Sequence, residues 1–533
     1  MATKSAAELI TAIQAGYTFE GPSIALGAAM VDGVIRPEAQ VALPLAMMNR
    51  HGLVAGATGT GKTVTLHMIA EQLSTAGVPV FMADIKGDLT GLATAAEGND
   101  KLTARTQALG QHWESKAFPV EFLALGGNGN GVPVRATIDS FGPILLSRVL
   151  DLNETQESSL QLVFHYADTK DFELYDLKDL RAVITFLTSD EGKADLKELG
   201  GLSKATAGVI LRNLITLDAQ GMGEFFGSPE FDTAELLRIA PDGRGVISCL
   251  ELPSVQDKPL LFSTFLMWLL ADLYRDLPEV GDIEKPKLVF FFDEAHLLFN
   301  NASKAFLAAI TQTVRLIRSK GVGIFFVTQT PKDVPSDVLA QLANRVQHAL
   351  RAFTPEDAKA LKATVSTFPI NDYDLEEVLT NAGIGEAVVT VMNENGAPTP
   401  VALTRLRAPG SVMGPSAETT VTSVIAASAL LPTYGTAVDP VSAFEKLAAA
   451  TVPAEAPQPP RTGPAVGTPL PPPPPPASLP SPKHDGGIAS DVIGALGGAF
   501  GSGLTGGLKS AARSMGRNLI RDMFGTAPRK RRR

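Results

Sequence analysis

A glycine-rich stretch near the start of the chain constrains it most. Gly56-Ala57-Thr58-Gly59-Thr60-Gly61-Lys62-Thr63 fits the phosphate-loop pattern G-x-x-x-x-G-K-[ST] at every fixed position. Glycines let the backbone turn back so that successive N–H groups point into one concavity of phosphate size. The helix after the loop adds the positive end of its dipole. In that arrangement Lys62 reaches the β- and γ-phosphates and Thr63 offers its hydroxyl to Mg²⁺. The flanks agree. Gly52-Leu53-Val54-Ala55 is a short apolar run with the character of a buried strand, and residues 64–70 have helical spacing.

A second apolar strand, Leu288-Val289-Phe290-Phe291-Phe292, ends in Asp293 and Glu294. A buried strand delivers the residues at its C-terminal end to the crevice where α/β sheets bind ligands. Asp293 is the expected Mg²⁺ ligand. Glu294 is the expected base that takes a proton from the water attacking the γ-phosphate. A third buried run, 323–328, ends on Gln329, which is placed to sense the γ-phosphate or orient that water. Arg315 and Arg318 lie on a helical stretch before this strand and are candidates to stabilise the charge of phosphoryl transfer from a neighbouring subunit. Arg345 and Arg351 are further candidates. The segment Asp84-Ile85-Lys86-Gly87-Asp88 comes after another strand at 78–84. A surface turn and a role beside the phosphates are both open for it. His51 and His296 belong to no metal-ligand spacing, so packing or hydrogen bonding is expected of them.

Composition narrows the classes. Hydrophobic residues make up 45% of 533, enough for a sizeable core. The single cysteine, Cys249, excludes an intrachain disulfide and a Cys-based zinc site, and it sits in an apolar run as a buried thiol would. The opening Ser5-Ala6-Ala7-Glu8 reads as a capping box rather than a leader. The longest apolar run, 260–271, is too short to span a bilayer, so a cytoplasmic protein is expected. The net charge of −10 hides an asymmetry: over 486–533 nine Lys and Arg stand against Asp491 and Asp522. A body that acidic does not advertise sequence-independent duplex binding over its outer surface, though it leaves room for a local basic channel.

The chain divides, on this reading, into an N-terminal helix (1–20), the first part of an α/β phosphate-loop core (21–140), a helical insertion (141–244), the second part of the core (245–410), C-terminal helices (411–450), a proline-rich linker (451–485) and a glycine-rich basic tail (486–533). Asn153, Asp176 and Ser203 are the expected N-caps of successive insertion helices. Runs at 387–392 and 400–406, separated by Asn395-Gly396, predict a closing hairpin. In the tail Lys509, Arg513, Arg517 and Arg521 recur at i, i+4, a basic stripe suited to an anionic surface.

The run from Leu43-Pro44-Leu45 through Asn49-Arg50-His51 to Thr63 resembles the HerA/FtsK class of P-loop ATPases. It is similar above all to a bacterial family labelled helicase HerA-like. Asp84-Ile85-Lys86-Gly87-Asp88, Phe291-Phe292-Asp293-Glu294-Ala295-His296 and Val327-Thr328-Gln329-Thr330-Pro331 match that pattern too. The similarity covers roughly residues 20–410, with the linker and tail in addition. The resemblance implies a RecA-like sheet, hydrolysis of ATP with Mg²⁺, and homo-oligomers, hexameric rings in the class, that move DNA. It also implies that an arginine in an Arg-x-x-Gly segment acts in trans, and Arg318 before Gly321 is the matching position. HerA proteins carry an N-terminal β-barrel; only 1–20 precede the matching part here, too short for one. Two functions are therefore open. One is an ATPase that translocates or remodels DNA. The other is a nucleotide-driven switch or scaffold that binds a protein partner or an anionic membrane through 486–533.

Overall fold

In a computed structural model, residues 4–198, 200–255, 258–281, 283–299 and 304–451 are described. The proline-rich linker and the basic tail expected from the sequence lie outside them. The strands are β1 (Ser23–Val31), β2 (Val34–Pro44), β3 (Gly52–Ala55), β4 (Val80–Asp84), β5 (Val120–Leu125), β6 (Val132–Val134), β7 (Ile247–Glu251), β8 (Leu288–Phe292), β9 (Val322–Thr328), β10 (Asn344–His348), β11 (Glu386–Thr390) and β12 (Ala402–Leu406). They form one sheet in the order β2-β1-β12-β11-β10-β3-β9-β8-β4-β7-β5-β6. From β10 to β6 every pairing is parallel; from β10 out to β2 every pairing is antiparallel. This is the RecA-like P-loop architecture, with helices around a mixed sheet.

The central parallel strands β3, β9 and β8 are almost wholly apolar because both of their faces are covered. Side chains alternate between faces, so β8 serves both. Phe290 and Phe292 join Phe81 of β4 on one side, where Phe81 also meets Phe265 of the helix Pro259–Asp276. Phe291 points the other way and packs on Phe325 of β9. Cys249 is buried in β7 as a free thiol.

Between β6 and β7 the chain forms helices Ile138–Val149, Glu154–Thr169, Leu177–Thr188, Lys193–Glu198 and Lys204–Ala219. Asn153, Asp176 and Ser203 do cap the second, third and fifth, each accepting a first-turn backbone N–H. Phe225 ties this block to the core through ring contacts with Phe265 and Trp268.

Residues 21–51, within the first part of the core expected at 21–140, hold two long strands that no motif announces. Ala6–Gly16 is the expected helix, with the Ser5–Glu8 capping box present. After it β1 and β2 form a hairpin that extends the sheet beyond β12. Asp32 and Gly33 both take positive φ, 54° and 71°, as a two-residue turn that matches strand twist requires. Strands β5, β6 and β10 are likewise not expected from the sequence. Among the described residues no helix is long and apolar enough to cross a membrane.

Candidate nucleotide site

Strand β3 ends where the phosphate loop begins. The loop then turns into the helix Lys62–Thr75, with Gly61 at φ 107° as its N-cap. A side chain at Gly56 has no room, since a Cβ there would lie 2.4 Å from the His348 Cβ. Neighbouring strands hold the loop from both sides. Gly56 N–H donates to the Thr328 carbonyl of β9 at 3.2 Å, and Ala57 N–H to the Ala349 carbonyl after β10 at 2.8 Å. His348 and the Thr65 hydroxyl share a buried 2.9 Å hydrogen bond. Thr58 and Gly59 are exposed at the crest of the loop. Lys62 is buried and donates to the loop's own Gly56 and Ala57 carbonyls, at 2.8 and 3.3 Å. Burial lowers its pKa, against the opposing pull of Glu294 and Asp293.

Strands β3 and β8 are separated only by β9, so their C-terminal ends open on the same edge. Asp293 is buried there. Its Oδ1 accepts the Glu294 N–H at 2.8 Å, and its Oδ2 has no hydrogen-bond partner. Burial pushes its carboxyl up to about 6. An orphaned carboxylate oxygen beside a phosphate loop fits a divalent cation. Among the described residues no group of three or more His, Cys, Asp or Glu could cage a metal. Mg²⁺ needs no such cage, because it binds through one or two carboxylates together with substrate phosphates. Thr63 and Asp293 are the residues the sequence offers for that role. Burial raises the Asp88 carboxyl, with Lys86 and the Thr63 side chain among the groups that oppose it.

Glu294 adopts the left-handed backbone, φ 46°. Its Oε1 pairs with Lys86 Nζ, and its Oε2 lies 3.2 Å from His296 Nδ1. Burial raises its pKa, but Lys86 outweighs that with help from His296 and Lys62, and the net direction is downward. Glu294 is therefore held ionised. Lys86 comes from the 84–88 segment, for which the sequence leaves a surface turn and a role beside the phosphates both open. Asp84, at the end of β4, builds that turn: its Oδ1 accepts from Lys86 N–H at 3.2 Å and Gly87 N–H at 2.7 Å, and its Oδ2 from Leu89 N–H at 2.8 Å. Burial pushes Asp84 up to about 7.

Gln329 is exposed at the end of β9, between the loop and the acids. Arg318 is exposed in the turn before β9, and Arg315 is exposed on the preceding helix. Both lie at the opposite end of the parallel strands from Lys62. Arg345 and Arg351 are engaged locally. Arg345 donates to the Thr367 hydroxyl at 2.5 Å and Arg351 to the Thr380 carbonyl at 2.9 Å. His51 is structural: Nε2 donates to the Val314 carbonyl at 2.6 Å and Nδ1 accepts the Ile324 N–H at 3.1 Å. Sequence reasoning missed His348 and Gly385, whose N–H donates to the Thr60 carbonyl at 3.1 Å. Neither sits in a motif, and no spacing signals them.

The fold is similar to that of the bacterial conjugative coupling protein TrwBdeltaN70 in complex with sulphate, at 16% identity and a TM-score of 0.50, over 77% of this chain and 94% of that one. The plasmid coupling protein TrwB with the non-hydrolysable ATP analogue ADPNP aligns at 16% identity and 0.49, over 75% and 100%. VirB4 of Thermoanaerobacter pseudethanolicus aligns at 14% and 0.47, over 73% and 97%. No curated protein matches the chain in sequence. The helicase HerA-like C-terminal family matches residues 32–533, nearly the whole chain. With a phosphate loop, a strand-terminal acid pair and a RecA-like sheet in place, the chain belongs to the HerA-like helicase C-terminal family.

Proposed function

We propose that this protein is an Mg²⁺-dependent ATPase that works as a homo-oligomer, a hexamer in the simplest form, and uses its cycle to move DNA. The observation that carries the ATPase reading is the meeting, at one sheet edge, of Lys62 and Thr63 with Asp293 and Glu294. Lys62 neutralises the β,γ-phosphates. Thr63 and Asp293 hold Mg²⁺, which supplies charge neutralisation on the phosphate oxygens when bound. Glu294 takes the proton of the attacking water, and Gln329 orients that water or senses the γ-phosphate. Arg318 acts in trans on a neighbour's nucleotide. DNA as the moved polymer is supported by membership of a family named for helicases. The neighbouring folds include plasmid and conjugative coupling proteins, one of them bound to an ATP analogue.

ATP turnover measured alone, with single-stranded DNA and with duplex DNA tests both halves. Turnover that Lys62→Ala abolishes, and that DNA stimulates several-fold, is the expected result. Turnover indifferent to both polymers would sink the motor and leave the ATPase.

A further inference from the structure

We propose that the loop 383–385 is the seat of the nucleobase, with the Ile384 side chain as its apolar platform. The inference rests on the proposed nucleotide site and extends it to a part of the ligand that no motif addresses.

Direction comes from the topology. The acids that hold Mg²⁺ and activate water stand two strands from β3 on one side, at β8. They fix the γ-phosphate end of a bound nucleotide. The ribose and base must then leave the phosphate loop on the other side, over β10 and β11. Two inter-strand steps cover about 10 Å. At that place the loop 383–385 leads into β11, on the same edge as the phosphate loop because β11 runs antiparallel to β10.

The loop touches the phosphate loop directly. Besides the Gly385–Thr60 hydrogen bond, a Cβ at Gly61 would come within 3.4 Å of Gly385 N. It is also firmly built. Gly383 N–H donates to Glu386 Oε2 at 2.8 Å, Arg405 donates to the Ile384 carbonyl at 3.2 Å, and Arg105 donates to the Gly385 carbonyl at 3.2 Å. Gly385 holds φ 74°, and a Cβ there would meet Arg105 Nη2 at 2.6 Å. The backbone is thus spoken for by its own chain, while the Ile384 side chain is left 70% exposed. An exposed branched aliphatic group on a rigid loop, beside the site that takes the phosphates, suits the apolar face of a purine. Phe353 is also exposed on a loop after β10, at 87%, but its backbone N–H is tied to Asp357 in the next helix rather than to the phosphate loop.

Equilibrium binding on the full chain tests this with three ligands: ADP, a non-hydrolysable ATP analogue and inorganic triphosphate. Ile384→Ala is expected to weaken ADP and the ATP analogue alike, by about tenfold, the scale of one lost apolar contact. Inorganic triphosphate should bind that variant within about twofold of wild type, and Ile384→Leu should restore most of the loss. Equal weakening of all three ligands, no weakening of any, or a base-dependent loss seen in Phe353→Ala in place of Ile384→Ala would overturn the proposal. Lys62→Ala separates it from the reading beneath it. If that variant binds all three ligands as wild type does, the phosphate site itself is wrong.

Discussion

Glu294 is held in the left-handed region by the turn after β8, and Lys86 and His296 face its two oxygens. A carboxylate fixed in this way stays ionised and stays in place, as the proposed base must, so its loss is expected to affect the chemistry more than the binding. Glu294→Gln keeps the shape and a hydrogen bond to Lys86 but cannot accept a proton. It is expected to bind ATP and to turn it over roughly 10²–10⁴ times more slowly, as single-turnover hydrolysis beside equilibrium binding would show. A variant that no longer binds ATP would make Glu294 a structural residue. The partners of Glu294 are only half visible in the sequence. Asp293-Glu294 announces itself by ending an apolar run. Lys86 lies far away in the chain and meets Glu294 only because β4 and β8 are neighbours.

At the scale of elements, His51 does much of the joining. It sits at φ 59° just before β3 and ties that strand to the helix Lys304–Ile317 through Val314 and to β9 through Ile324. Burial lowers its pKa from 6.5 to about 4, the hydrogen bond to Val314 opposing. The ring is neutral when folded, and a base with a depressed folded pKa stabilises above its unfolded value. That contribution is present above about pH 6.5 and fades as pH falls through 4. His51→Asn tolerates the left-handed backbone but cannot span both partners. It is expected to be less stable than wild type at pH 7.5 by about 1–3 kcal/mol, with the gap narrowing toward pH 4. Urea unfolding of both proteins across that range measures it; a constant gap would mean that His51 titrates alike in the folded and the unfolded chain, its pKa not depressed by burial.

For the whole molecule the decisive distance is the length of a strand. Strand β9 runs seven residues, Val322 to Thr328, and at about 3.3 Å per residue it separates its two ends by about 20 Å. Arg318 precedes one end and the phosphate loop flanks the other. An arginine side chain cannot cover that span, so a role for Arg318 in hydrolysis requires a second subunit. Mixing inactive Arg318→Ala with inactive Lys62→Ala subunits is expected to restore part of the turnover, because some interfaces then pair an intact Arg318 with an intact loop. Full specific activity of a diluted monomer would exclude this arrangement.

The sequence by itself determined the candidate site residues and elements that obey fixed local geometry. The phosphate loop must have its glycines and Lys62 at set spacing, and a parallel strand buried on both faces must read as an apolar run, so β3, β4, β8 and β9 were legible. The capped helices after β6 were legible for the same local reason. Tertiary structure alone decided what depends on neighbours. Strand β10, Asn344-Arg345-Val346-Gln347-His348, carries too many polar residues to look like an inner strand. It becomes one because Asn344, Gln347 and His348 each find buried hydrogen-bond partners there, Thr65 of the nucleotide-site helix among them. The hairpin of β1 and β2 and the loop 383–385 likewise gained their places by pairing with segments hundreds of residues away. Spacing along a chain encodes a turn or a strand; which strand ends share an edge is set only when the sheet closes.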